Sequence, residues 1–458
     1  MRVNRGTASR RLSLIASLAV LGALPSPLAA ADRHVDCRPG NPSGSPYTSI
    51  TAAINSLTDP PPTGSWDQIL LRSDCTENVT ITRSRLWIAP EWDACPWSGC
   101  TTNGPVARIT ASDPAQPVVR VEGPHDLTLV HLALSNGSDG LAVRGPAFVD
   151  TYGIVAEHNS ANGVSVDGGA MIALAEPALI NNGARGLVMS ASTAEMYGRA
   201  FWLQGKPCLV SGNARTGIFV SRSVFKGADG CVVENNQMRG VVGVGGHVEF
   251  GAFRTEAVIR GNQGGALLVE GTEATFWGGV VIQDNGPFGL HMERQSQAGF
   301  HECCGKPAPV VEGHTETGVT AAQHSQLYFK GASRVRNNGT AGGPLSAGLR
   351  VDGNSAAFLD GGAQVSDNAG PGVVIDLNSS LDAQSATIRN NAGAGIRVLH
   401  QSVAHVSAAS SVLPNGGGPI TCDGTSLVIT ALVRLKNGSC SNVEPPTEPR
   451  PASLPLEF

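Results

Sequence analysis

The sequence predicts an all-β solenoid, in which the chain winds into stacked coils of similar length. A small residue followed by an aliphatic one returns about every 23 residues from Gly140 onward, and several of these pairs follow an Asn suited to a turn. A period of 20 to 50 residues indicates a solenoid, a propeller or an array. About 23 residues hold three short strands and three turns, too few for a four-stranded propeller blade. The pairs are Gly140-Leu141, Gly163-Val164, Gly186-Leu187, Gly217-Ile218, Gly240-Val241, Ala266-Leu267, Gly289-Leu290, Gly318-Val319, Gly348-Leu349, Gly372-Val373 and Gly395-Ile396.

Each repeat contains three stretches that read as short strands. Residues 163–168 alternate between aliphatic and polar types, which is typical of a strand with one buried face. Residues 356–360 and 386–389 show the second and third stretch of a repeat. Stacked repeats pair strand on strand at about 4.8 Å and bury a continuous aliphatic column. We therefore expect one inward column to contain Leu141, Val164, Leu187, Val241, Leu290 and Val373.

This repeat resembles that of the right-handed parallel β-helix superfamily, the pectate-lyase-like solenoids, over roughly residues 106 to 435. The resemblance implies a right-handed parallel β-helix of about a dozen coils. It leaves the activity open, because the superfamily contains lyases, hydrolases, esterases, epimerases, adhesins and inert scaffolds. The alternative, a propeller or a sandwich, would require antiparallel strands joined by tight hairpins at shorter spacing.

The N-terminal segment, residues 1–31, is predicted to be a secretory signal peptide. Four arginines precede an apolar run at residues 12–24, and small residues follow at 28–31. The run is only about 13 residues long, so we expect no membrane span in the mature chain. The predicted location is secreted, periplasmic or cell-surface. Ser9-Arg10-Arg11 leaves both the general secretory and the twin-arginine route open.

The mature chain divides into three predicted parts. Residues 32–105 form an N-terminal cap, residues 106–440 the β-helix, and residues 441–458 a Pro-rich disordered tail. A short helix is expected in the cap, because apolar side chains recur there at helical spacing, with Ser49 or Thr48 as N-cap. Those apolar residues are Ile50, Ala53, Ile54 and Leu57.

Ten cysteines in an exported chain indicate disulfide bonds. Cys208 and Cys231 are one repeat apart, which places them at equivalent positions on adjacent coils. Three further pairs are expected, one closing a short loop and two fastening the ends of the solenoid. These pairs are Cys95 with Cys100, Cys37 with Cys75, and Cys422 with Cys440. The adjacent Cys303 and Cys304 bond either to each other or elsewhere.

Candidate site residues come from the outward positions of the repeat. Glu270 and Glu293 follow their small residues at the same distance, so we expect them side by side on consecutive coils, with one pKa raised by repulsion. With His291 they form the predicted catalytic group. The predicted binding residues are Trp202, Arg350, Asp352 and Asp376. No metal ligand set is predicted, although the acidic column would suit Ca²⁺. The competing interpretation is a solvated acidic face.

A second candidate site contains His125 and Asp126. The stretch Gly123-Pro124-His125-Asp126 resembles the Asp-Pro-His-Asp motif of alginate epimerases. That resemblance implies proton transfer at C5 of a uronate. The chain departs from the motif, because Gly123 replaces the first Asp and no Tyr is close in sequence. The alternative is a plain turn before a strand.

The composition limits the classes of molecule that we expect this protein to bind. Charged residues make up 15% of the chain, the formal net charge is −5, and the mature part has no Lys/Arg-rich run. We therefore expect no nucleic-acid partner. The expected partner is a polysaccharide or a cell-surface glycan, bound by a non-catalytic scaffold. Because no complete catalytic motif is present, a carbohydrate-active lyase, hydrolase or epimerase is the alternative and not the first expectation. An adhesin passenger is the third hypothesis.

Overall fold

The computed structural model describes residues 32–57, 65–91, 106–123, 125–198, 208–251, 255–303, 305–343 and 345–430. The predicted signal peptide, the Pro-rich tail and Trp202 lie outside these ranges, as do Cys95 and Cys100. The regular secondary structure of the described residues is almost entirely β-strand, with one short helix. Each complete coil contributes one strand to each of three sheets, which we call A, B and C in the order in which the chain visits them.

Sheet A has 16 strands. They are β1 (Asp32–Val35), β2 (Asp67–Leu71), β5 (Leu86–Pro90), β8 (Asp126–Val130), β11 (Phe148–Tyr152), β14 (Met171–Ala175), β17 (Thr193–Tyr197), β20 (Val224–Ala228), β23 (His247–Gly251), β26 (Glu273–Trp277), β29 (Gln297–His301), β32 (Gln326–Lys330), β35 (Ala356–Leu359), β38 (Ser380–Ala383), β41 (Val403–Val406) and β43 (Leu427–Thr430).

Sheet B has 13 strands. They are β3 (Cys75–Thr76), β6 (Ala107–Thr110), β9 (Leu132–Ser135), β12 (Val155–Glu157), β15 (Ala178–Ile180), β18 (Leu209–Ser211), β21 (Val232–Glu234), β24 (Ala257–Arg260), β27 (Val280–Gln283), β30 (Val310–Glu312), β33 (Arg334–Arg336), β36 (Gln364–Ser366) and β39 (Thr387–Arg389).

Sheet C has 14 strands and carries the candidate site. They are β4 (Val79–Ile81), β7 (Val119–Glu122), β10 (Leu141–Arg144), β13 (Val164–Asp167), β16 (Leu187–Ser190), β19 (Ile218–Ser221), β22 (Arg239–Val244), β25 (Gly264–Val269), β28 (Phe288–Met292), β31 (Thr317–Ala321), β34 (Ala347–Val351), β37 (Val373–Ile375), β40 (Ile396–Val398) and β42 (Ile420–Cys422).

The fold is a right-handed parallel β-helix. Every strand pairing in the described ranges is parallel, and Leu141 pairs with Val164, which pairs with Leu187. This confirms the solenoid and excludes the propeller and the sandwich. The predicted inward column is also confirmed, since its members are all fully buried: Leu141, Val164, Leu187, Val241, Leu290 and Val373. Strands β1 to β5 already belong to the three sheets, so coiling begins within residues 32–105.

The N-terminal cap contains the predicted helix, α1 (Ile50–Asn55). Ser49 is its N-cap and accepts a hydrogen bond from the Ala52 backbone N–H. The carboxylate of Glu77, which lies between β3 and β4, accepts hydrogen bonds from the backbone N–H groups of Ile50 and Thr51. Unpaired N–H groups at a helix start favour such an anion. The first coil therefore holds the helix in place.

Two disulfides predicted from the sequence are confirmed. Cys37 bonds to Cys75, and Cys208 bonds to Cys231 across adjacent coils, with Cα atoms 5.1 Å and 4.4 Å apart. Cys303 and Cys422 are disulfide-bonded as well. Cys304 and Cys440 lie outside the described residues. Disulfides are typical of oxidising compartments. Within the part of the chain that the structure describes, no helix is long and apolar enough to cross a bilayer.

A ladder of buried asparagines runs along the turn between sheets B and C. In each step the backbone N–H and the side-chain N–H of one Asn donate to the Oδ1 of the Asn one coil on, which satisfies polar groups inside the solenoid. One branch contains Asn159, Asn182, Asn213, Asn236, Asn262 and Asn285. The other contains the buried Asn338, Asn368 and Asn391 and ends at the half-buried Asn415.

His314 occupies the step between the two branches and is fully buried. Its Nδ1 and Nε2 lie 3.2 Å from the carbonyl oxygens of Asn285 and Ile282. Burial lowers the pKa of this imidazole below its ordinary value, although both carbonyls oppose the shift. Burial thus favours the neutral ring, which donates through one nitrogen only.

We expect His314→Asn to make the free energy of unfolding fall less steeply than in wild type as the pH drops below neutrality. The unfolded chain binds a proton near pH 6.5 whereas the folded ring resists it, so the stability that neutral His314 contributes is complete above pH 6.5 and is lost as the pH falls. The difference from wild type should grow by up to about 1.4 kcal/mol per pH unit below that point. Urea unfolding of both proteins between pH 7 and pH 5 measures it. Parallel profiles would show that His314 does not titrate on unfolding.

Candidate functional site

An open groove of about 1090 Å³ crosses the outer face of sheet C. One end lies at the turn from sheet B to sheet C, and the other at the turn from sheet C to sheet A. The lining residues are Glu270, Gly271, Pro287, Phe288, His291, Glu293, Arg294, Gln295, Glu316, Thr317, Thr320, Ala322, Gln323, His324, Leu345, Arg350, Asp352, Gly353, Asn354, Leu377 and Asn378.

Small side chains on one strand create this groove. Thr320 in β31 pairs with His291 in β28 on one side and with Arg350 in β34 on the other. Ala322 follows β31, and its backbone N–H donates to the Met292 carbonyl, which extends the same ladder. Thr320 and Ala322 therefore form a floor between two taller walls. The walls are two strand spacings apart, about 9.6 Å between backbones.

The first wall carries a histidine–carboxylate pair. The Nε2 of His291 lies 2.8 Å from Oε1 of Glu293, and Glu293 is only 2% exposed. The hydrogen bond to His291 lowers the pKa of Glu293, against the opposing effect of burial. Phe288 packs against the His291 ring with centroids 5.5 Å apart. The wall thus presents an ionised, fixed carboxylate beside an imidazole and an aromatic ring.

The second wall carries a buried arginine. The guanidinium of Arg350 donates to Oδ2 of Asp376 at 3.2 Å, and its Nε lies 3.8 Å from Oδ2 of Asp352. Asp376 also bonds to Nδ1 of His400, at 2.6 Å. Arg350 is 5% exposed, so these contacts hold it rigidly. Asp376 lies behind Arg350 and does not line the groove.

The predicted pairing of Glu270 with Glu293 is wrong. Ala266 pairs with Leu290, which brings Glu293 level with Val269 and Glu270 level with Arg294. Glu270 lies in the turn after β25 at a positive φ of 56°, exposed and 3.6 Å from the Arg294 guanidinium. The expected repulsion and raised pKa do not arise for Glu293, whose pKa is lowered. Glu293 on one wall and Arg350 on the other are buried, so neither belongs to a solvated acidic face.

His125 and Asp126 lie on a different face, at the start of β8 in sheet A. The Nδ1 of His125 is 3.2 Å from Oγ of Ser84. Coil stacking brings Asp150 and Tyr152 close by, although neither is near in sequence. Burial, and secondarily the Asp126 charge, raise the pKa of Asp150 to about 6. The pKa of Tyr152 rises to about 12, mainly through burial. Neither residue is predicted from the sequence, because only the pairing of β8 with β11 places them near Asp126.

Among the described residues, one grouping of metal-ligand side chains has the spacing of a metal site. It consists of Cys37, Cys75 and Glu77. Both thiols are used in a disulfide, and Glu77 is bonded to the start of α1. This grouping is structural, and the groove walls contain no cluster of this type among the described residues.

Comparison with known proteins adds little to this geometry. No protein-family model and no curated protein matches the chain. Among solved structures, the chain is similar to the GH136 lacto-N-biosidase from Eubacterium ramulus, at 11% sequence identity and a TM-score of 0.23. The match covers 88% of this chain and 68% of the other. At this TM-score the likeness carries no argument about function.

Proposed function

We propose that this protein is an exported β-helix that binds a polysaccharide or cell-surface glycan in the groove of sheet C. The observation that supports this is the arrangement of Glu293 and Arg350. Both are buried, charged and held by hydrogen bonds, on opposite walls of an open groove. A ligand rich in hydroxyl groups is recognised by donors and acceptors whose positions are fixed before binding. Phe288 adds an apolar surface for a sugar ring.

Glycan hydrolysis is the second candidate, favoured by one observation. Glu293 and Asp352 flank the Ala322 floor from opposite walls, so a bound sugar would lie between two carboxylates. Inverting glycosidases use such a pair, about 6.5–9.5 Å apart, as general acid and general base. The lowered pKa of Glu293 suits the base.

A glycan array with purified mature protein tests binding. We expect His291→Ala to weaken binding of any hit at least tenfold, because it removes the partner that holds Glu293. His405→Ala is the matched control, since His405 pairs with Asp382 at 3.0 Å on sheet A, away from the groove. This control should bind like wild type. Unchanged binding by the His291 variant would overturn the proposed site.

Release of reducing ends from the hits tests cleavage. We expect Glu293→Gln to abolish any release while keeping the far-ultraviolet circular dichroism of wild type. The His125→Ala protein should still release reducing ends. The opposite pattern would move the active site to sheet A, near His125 and Asp150.

A further inference from the structure

The groove carries an excess of negative charge. Its lining contains four carboxylates, of Glu270, Glu293, Glu316 and Asp352, but only two guanidinium groups, of Arg294 and Arg350. With both lining histidines neutral, the formal charge of the lining is −2. A cleft lined by one sign of charge concentrates ligands of the opposite sign. The same field repels ligands of its own sign.

The two arginines do not offset this charge where a ligand would lie. Arg294 is exposed in a turn and pairs with Glu270. Arg350 faces two carboxylates, those of Asp352 and Asp376, so its wall is negative overall. Glu293 stands on the opposite wall with a histidine as its partner. Glu316 is half-buried at the end of the groove nearest sheet B.

The floor sets the direction of a bound chain. Thr320 and Ala322 belong to one coil, so the groove follows that strand across the solenoid. A glycan lying in it would pass between Glu293 and Asp352 near one end and reach Glu316 at the other. Successive sugars would therefore meet carboxylates at both ends.

We infer that the groove selects glycans built from amino sugars with free ammonium groups and rejects polyuronates. This inference rests on the proposed function. A protonated 2-amino group forms charge-assisted hydrogen bonds with carboxylates, which are stronger than those of a hydroxyl or an acetamide. A uronate would place a like charge in the same confined space. Glu316 is the residue we assign to this choice.

The experiment compares three hexasaccharides by calorimetric titration of the mature protein in neutral buffer. They are glucosamine, N-acetylglucosamine and galacturonic acid hexamers. The first two share a backbone and differ only in acetylation. We expect the glucosamine hexamer to bind about tenfold more tightly than the acetylated one, and the galacturonate hexamer not to bind measurably. The preference should shrink when salt is raised, because salt screens exposed charges.

Two variants distinguish the effect of charge in the groove from the effect of charge elsewhere on the surface. Glu316→Gln should reduce the preference for glucosamine about fivefold. Glu256→Gln makes the same charge change at an exposed position outside the groove and should leave the preference unchanged. Equal binding of the first two hexamers, or tighter binding of galacturonate, would overturn this inference and leave the proposed function standing. Failure of all three to bind, together with an empty glycan array, would overturn both.

Discussion

Phe300→Ala should lower the free energy of unfolding by about 3–5 kcal/mol, the usual cost of emptying a buried phenylalanine site. Phe300 is fully buried in the middle of an internal stack on sheet A. Its ring centroid lies 4.8 Å from that of Phe276 and 4.6 Å from that of Phe329. The coils on either side are held by strand pairing, so the cavity can collapse only in part. Equilibrium unfolding in urea measures the loss.

Phe358→Ala is the matched control for that prediction. Phe358 also stacks on a neighbour, Tyr328, at 4.9 Å, but it does so on the outer face and is 36% exposed. Its removal leaves no cavity, so we expect a loss of about 1 kcal/mol or less. Similar losses for the two variants would show that the internal stack does not hold adjacent coils together.

Arg350→Met should also cost about 3–5 kcal/mol, because it leaves one buried and one half-buried carboxylate without their cation. The two carboxylates belong to Asp352 and Asp376. The control is Arg336→Met on sheet B. Arg336 lies 2.7 Å from Glu312, but its side chain is 38% exposed, and exposed pairs contribute only about 0–1 kcal/mol. Thermal and urea unfolding of both variants provides the comparison.

A second change tests the cause of that loss. Adding Asp376→Asn to the Arg350→Met protein removes one of the uncompensated charges, so we expect part of the stability to return. The hydrogen bond that His400 makes with this side chain limits the recovery. If the double variant is less stable than Arg350→Met alone, packing of the arginine stem rather than charge accounts for the effect.

The repeat was predictable because each coil restates it locally. A small residue followed by an aliphatic one shows which side chains face inward. This pattern correctly predicted the inward column that begins with Leu141 and ends with Val373. The same period paired Cys208 with Cys231, and helical spacing identified α1 with Ser49 as its cap. These features depend on residues close in sequence or separated by one whole coil.

In one coil the repeat position was assigned one residue out of register, and this changed the predicted site. Gly264, Gly265 and Ala266 are three small residues in a row. In the predicted repeat, Ala266 occupied the position of the small residue. The structure aligns Ala266 with the aliphatic position, not the small one. A shift of one residue moves a strand side chain to the opposite face. That shift is why Glu270 was grouped with Glu293 although it lies in a turn.

The sequence by itself determined the coil, its inward column and two disulfides. Only the tertiary structure decided that Glu293 and Arg350 are buried, that Thr320 and Ala322 open a groove between them, and that Asp150 and Tyr152 join Asp126. The physical reason is that exposure and pKa depend on the height of the side chains one coil above and below. Those neighbours are typically 22 to 31 residues away, and a loop of variable length separates each from the next.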